Sequence, residues 1–84
     1  MASKVILYKR AQDDFLRLSQ AMRNRISEGL RELLEFPLQK RGIKKLKPPF
    51  QGYRKRVGDY RILFDHKNDV VLVRHIRDRK DAYR

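Results

Sequence analysis

The chain has 84 residues, 40% of them hydrophobic, so it can bury one small two-layer core and leaves no room for a second. It contains no cysteine, which excludes a disulfide framework and any thiolate zinc site, and its longest apolar runs are only a few residues, too short for a membrane-spanning helix. Its 22 lysines and arginines against 10 aspartates and glutamates leave a net charge of +12, which points to a polyanionic partner. The charge is uneven: residues 1–42 carry a net +4 and residues 43–84 a net +8, so a basic face is expected in the second half. The opening MASKVILYKR has no apolar core of the kind a signal peptide needs, and a cytoplasmic location is expected.

Val5-Ile6-Leu7-Tyr8 is rich in β-formers and predicts a first strand. From Ala11 the apolar spacing becomes helical, through Phe15, Leu18, Met22, Ile26, Leu30, Leu33 and Leu34. Ser19 reads as an N-cap dividing this stretch into an antiparallel pair of helices over 9–20 and 21–36, with Pro37 as the stop. Gly29 falls inside the second helix, at a cost of ~1 kcal/mol relative to alanine. Asp13-Asp14 is read as supporting the N-terminal turn of the first helix. Residues 37–52 hold Gly42, Pro48-Pro49 and Gly52 and are expected to form a connection with at most a short strand or turn. Three strands then follow, over 53–57, 60–64 and 70–73, separated by turns at Gly58-Asp59 and Lys67-Asn68-Asp69. The expected architecture is α+β in the order β-α-α-β-β-β, with the two-helix hairpin packed on one face of a mainly antiparallel sheet, all in a single domain over residues 1–84.

The first hairpin permits a sharper inference. With Gly58-Asp59 as the two turn residues, Val57 lies opposite Tyr60, Arg56 opposite Arg61 and Arg54 opposite Leu63. Directly opposed residues share a face, so Arg54, Arg56 and Arg61 project together. Tyr53, Val57, Tyr60, Ile62 and Phe64 face the helices, with Lys55 among them expected to snorkel outwards. Opposed like charges destabilise a ladder, so stability alone gives no reason to place Arg56 against Arg61. Either the pair splays into solvent or onto a carboxylate such as Asp65, or the face binds phosphate, whose oxygens suit guanidinium donors.

The ending RHIRDRKDAYR adds Arg74, Arg77, Arg79 and Arg84 around Tyr83. Arginines beside an aromatic ring suit single-stranded RNA, whose bases can stack on the ring while guanidiniums hold the backbone. The alternative is that Tyr83 packs on the sheet edge and the tail is simply solvated. Lys44, Lys45 and Lys47 form a second basic group suited to RNA. His66 and His75 are the only histidines, with no carboxylates at ligand spacing, so neither a metal site nor another cofactor is expected. No GxGxxG, P-loop, HExxH or GxSxG pattern occurs.

The segment YRKRVGDYRILF, with Leu46 in KKLK before it and RDRKDAYR at the end, resembles the RelE/ParE superfamily of bacterial and archaeal toxins over nearly the whole chain. The resemblance implies a toxin held in check by an antitoxin, and it is strongest to the RelE branch, whose members cut mRNA in the ribosomal A site. Carried over by motif position, the family's catalytic residues fall on Arg54, Arg56, Arg61, Arg79 and Tyr83, with Arg77 as the alternative to Arg79. The pair that is often His-Arg in such endings is Asp78-Arg79 here, so an imidazole is missing at that point.

The expected function is therefore a ribosome-dependent endoribonuclease. The RNA 2′-hydroxyl attacks the adjacent phosphate, and arginines hold the developing charge without a metal. Lys44, Lys45, Lys47, Arg74 and Arg77 would bind RNA. The expected partners are an acidic, partly helical antitoxin, the mRNA and the ribosome with its small-subunit rRNA, and not a membrane. The alternatives are a ParE-like inhibitor of DNA gyrase, which is not a nuclease, and a non-catalytic RNA-binding domain.

Overall fold

The computed structural model describes residues 2–79. In chain order it comprises β1 (Lys4–Leu7), α1 (Lys9–Leu16), α2 (Gln20–Glu32) with a 3-10 turn over Leu33–Glu35, β2 (Ile43–Lys45), β3 (Tyr53–Val57), β4 (Tyr60–Lys67) and β5 (Val70–Asp78). The strands form one sheet in the order β1-β5-β4-β3-β2. All pairings are antiparallel except β1 with β5, which run parallel at one edge. The α+β layout is as expected, and the stretch read as a connection with at most a short strand or turn holds one, Ile43–Lys45, which pairs with β3 and brings the sheet to five strands.

Local chemistry accounts for the element boundaries. Ser19 caps α2, its Oγ accepting from Met22 N–H at 3.2 Å, and thereby separates the helices as the sequence implies. The first helix ends four residues earlier than expected, at Leu16, and the second gives way to the 3-10 turn before Pro37. Gly58 adopts φ +58°, the left-handed region a tight hairpin turn needs at its first central position. Asn68 and Asp69 both take positive φ, 52° and 62°, and close the β4–β5 hairpin in the manner of a two-residue turn.

Both helices pack on one face of the sheet. Ala11, Leu18, Ile26, Leu33 and Phe36 meet Ile62, Phe64, Val71, Val73 and Ile76, all buried. Phe36 anchors one end, edge-on to Tyr53, Phe64 and His66 with ring centroids 5.0–5.4 Å away. Two expectations need correction. Lys55 does not snorkel into water: it is only 3% exposed, because its Nζ is held by Glu32 Oε1 at 2.8 Å and donates to Arg41 O at 3.0 Å. Asp14 does not serve the N-terminal turn of α1. It lies in the helix's second half and its Oδ2 accepts from Ile76 N–H at 3.0 Å, where β5 runs on past the end of β1.

Candidate functional site

The opposite face of the sheet carries the cations. The β3–β4 register pairs Val57 with Tyr60, Arg56 with Arg61 and Arg54 with Leu63, as the Gly58-Asp59 turn requires. The next strand continues both rows, Arg61 lying opposite Arg77 and Leu63 opposite His75. At the other side Lys44 lies opposite Arg54. Because directly paired residues share a face, one row reads Arg56–Arg61–Arg77 and the next Lys44–Arg54–Leu63–His75. With strands about 5 Å apart, the three arginines span about 10 Å.

The row is unevenly buried, most deeply at its middle member. Arg56 is exposed and its Nε donates to Gly58 O at 3.4 Å; Arg61 is 8% exposed and its Nη1 donates to Tyr60 O at 3.5 Å. Arg77, half-buried, donates from Nη2 to His75 Nδ1 at 3.3 Å. No carboxylate forms an ion pair with Arg54 or Arg56 among the described residues. Leu63 is 7% exposed with Arg54 and His75 as its register neighbours. Long cationic side chains shield apolar surface with their stems while their heads reach water.

Asp65, which the sequence offered as a partner for the row, pairs with Arg74 instead. The β4–β5 ladder shifts register between Leu63 and Phe64, leaving Arg74 as the extra residue of a bulge. Arg74 Nε then sits 3.2 Å from Asp65 Oδ2, and its Nη2 donates to Gln51 O. Arg74, read as RNA-binding, is thus committed within the protein. Lys44, Lys45 and Lys47 line a cleft of about 400 Å³ together with Phe50 and Arg54, continuous with the Lys44–Arg54 pair of the open face. Arg79 follows β5, its backbone N–H donating to Asp59 O at 2.7 Å, beside the turn that joins Arg56 to Arg61. Tyr83 lies outside the described residues, as does Arg84.

The sequence reading considered His75 only as a metal ligand. Among the described residues no group of three or more His, Cys, Asp or Glu side chains could hold a metal ion. Instead His75 stands on the arginine face, its Nδ1 3.3 Å from Arg77 Nη2 and 4.0 Å from Asp14 Oδ2. Burial first, then the Arg77 guanidinium, hold its pKa below the ordinary 6.5, with Arg10 and Arg74 adding to the effect and Asp14 opposing it. Alternation along β5 from Arg77 could have found it, had the third strand been carried past Val73.

Among the described residues no helix is long and apolar enough to cross a membrane. A family model described as the ParE toxin of the type II toxin–antitoxin system parDE matches residues 5–83. Solved structures share the fold. The toxin–antitoxin complex RelBE2 from Mycobacterium tuberculosis superposes with a TM-score of 0.80 at 21% identity, covering 93% of this chain and 99% of that one. An archaeal RelE–RelB complex from Pyrococcus horikoshii gives 0.74 at 27% identity, over 98% and 100% of the two chains. The RelB–RelE complex from Methanococcus jannaschii gives 0.74 at 28%, over 93% and 94%. No curated protein matches the chain significantly.

Proposed function

Because the chain belongs to the ParE toxin family of type II toxin–antitoxin systems, we propose that it acts within that family as an RNA-cutting toxin, a ribosome-dependent endoribonuclease working on mRNA in the A site. One observation carries the reading: Arg56, Arg61 and Arg77 fall side by side on three adjacent strands, on the face turned away from the helices. Like charges in register repel one another across a sheet, and their guanidiniums suit the oxygens of a phosphate laid over them. A toxin that bound gyrase through a protein surface has no need of guanidiniums converging on one phosphate.

The chemistry follows from those side chains. RNA brings its own nucleophile, the 2′-hydroxyl, whose attack on the adjacent phosphate expels the 5′-oxygen and leaves a 2′,3′-cyclic phosphate. Charge accumulates on the non-bridging oxygens, and Arg54, Arg56, Arg61 and Arg79 supply fixed donors to hold it, with Arg77 completing the row. Tyr83 stacks the neighbouring base. Lys44, Lys45 and Lys47 hold the strand on either side of the cut. A site so rich in cations gains most from a substrate already held in place, which agrees with dependence on the ribosome. The excess positive charge also suits an acidic, partly helical antitoxin as the inhibitory partner, and the similar structures are themselves complexes of a toxin with its antitoxin.

The decisive experiment adds the purified chain to ribosomes programmed with a defined mRNA and maps the new 5′ ends by primer extension, beside Arg61→Ala and beside naked RNA. The expected result is cutting at the A-site codon, lost in the variant and absent without ribosomes. An intact message from folded protein overturns the nuclease reading, and inhibition of gyrase supercoiling then becomes the assay.

A further inference from the structure

We propose that His75 accepts the 2′-hydroxyl proton in this reaction, with Asp14 of α1 positioned to stabilise the imidazolium that forms and Arg77 as the group that unmasks it; the inference rests on the nuclease reading above. The arginines of the face cannot take the role, since a protonated guanidinium has donors only and no lone pair to offer. His75 lies one row from Arg61 and Arg77, on the same face and about one-quarter exposed, within reach of a phosphate laid across them.

The geometry defines its protonation. Arg77 has donors only, so its 3.3 Å contact makes His75 Nδ1 the acceptor and puts the neutral ring's proton on Nε2. In the free protein that lone pair is therefore occupied. A scissile phosphate offers Arg77 charged acceptors in place of a neutral nitrogen, and charge-assisted bonds are about twice as strong. Once Arg77 turns to the phosphate, Nδ1 is left facing Asp14 Oδ2 at 4.0 Å and the substrate. As the 2′-O–P bond forms, the 2′-hydroxyl proton passes to Nδ1. The P–O5′ bond breaks with its electron pair on O5′, which takes a proton from water, and the imidazolium later returns its proton to solvent. Asp14 is held for this task, because Ile76 N–H donates to the same oxygen and fixes the carboxylate beside the ring.

Among the described residues the charged groups facing the ring are Asp14 and Arg10 from α1 and Arg74 and Arg77 from β5; its register partner on β4, Leu63, is uncharged. Burial and the three arginines outweigh Asp14 and keep the imidazole neutral, and so able to accept a proton, at pH 7.

The test is single-turnover cleavage on programmed ribosomes between pH 5.5 and 8, for the wild type, His75→Asn, His75→Ala with added imidazole, and Asp14→Asn, each checked for folding by its thermal melt. The wild-type rate should rise with pH and level off below the ordinary imidazole value, and His75→Asn should lose about 100-fold together with that acid limb. Free imidazole should restore part of the His75→Ala activity, which a structural role would not allow. Asp14→Asn keeps an acceptor for Ile76 N–H and should shift the acid limb to lower pH while slowing cleavage several-fold. A folded His75→Asn that cuts within threefold of wild type with the same pH profile overturns the proposal and leaves the nuclease reading standing. A wild type that cuts nothing overturns both.

Discussion

Lys55 and Arg56 are adjacent on β3 and meet opposite surroundings. Lys55 points under α2 and is buried, and the fold supplies a carboxylate and a carbonyl for its ammonium. Arg56 points to the opposite face, where its register partner is another arginine and Asp65, further along β4, is paired with Arg74. The helix-covered face satisfies its charge internally because an unpaired buried cation is prohibitively unfavourable. On the other face Arg56 is exposed, so water can solvate its charge, and on the proposed reading the same strands hold one face for stability and one for an anion.

The largest effect expected from that division is on cleavage. Arg61→Ala and Arg79→Ala should each lower ribosome-dependent cutting by about 10-fold or more, the scale of losing one transition-state charge contact. Primer extension against a time course gives the rate. Near-normal cutting by both would remove the open face from the chemistry and end the contrast between the faces.

On the covered face the effects should appear in stability instead, and unequally within one ion pair. Glu32→Ala strands the Lys55 ammonium in a site only 3% exposed, with Arg41 O as its remaining partner, and should lower unfolding free energy by about 2–3 kcal/mol. Lys55→Met leaves Glu32, whose side chain is 48% exposed, to rehydrate, and should change stability by about 1 kcal/mol or less. Urea titrations of the two variants compare them directly. Equal losses would mean that the pair, rather than the buried cation, is what the fold protects.

Gly29 sharpens the same point in packing. Alanine there should help the helix by about 1 kcal/mol. Its Cβ, however, would stand 2.8 Å from Val57 Cγ2, because α2 lies close against β3 at this position. Overpacking of that kind typically costs about 1–3 kcal/mol, so Gly29→Ala should be destabilising by about 1 kcal/mol net. In a Val57→Ala background the same substitution should become neutral or stabilising, a sign change that a thermal melt of the four proteins resolves.

Much of this was legible in the sequence where a local rule decides the outcome. Ser19 announces the helix boundary because a hydroxyl cap satisfies a backbone donor. Gly58-Asp59 announces the β3–β4 register because a two-residue turn leaves only one pairing, and the Arg54, Arg56 and Arg61 face follows by alternation. What stayed hidden depends on tertiary placement. The bulge at Arg74, which turns that residue to Asp65, leaves no mark in the residue pattern. Nor does the pairing of Lys44 with Arg54, since three residues between breakers carry too little periodicity to be seen. Asp14 looks like a helix-end charge until the shortness of β1 exposes the N–H of Ile76 to it. His75 was obscured by the same step, because reading the last strand as ending at Val73 detached it from the face it occupies.

The smallest expected effect tests the comparison from the other side. If the open face is kept for an anion at the expense of the free protein, removing one of two opposed guanidiniums should not weaken the fold. Arg56→Thr replaces an exposed arginine opposite Arg61 with a β-branched residue suited to a strand, and cross-strand pair energies put the gain at about 0.2–1 kcal/mol. The gain should shrink as salt is raised, because screening removes the repulsion it relieves. Cleavage should fall in the same variant. A melt that rises while activity drops identifies Arg56 as a residue retained for the phosphate; a melt that drops would mean that the Arg56–Arg61 pairing supports the sheet after all, and that the two faces differ less than their charges suggest.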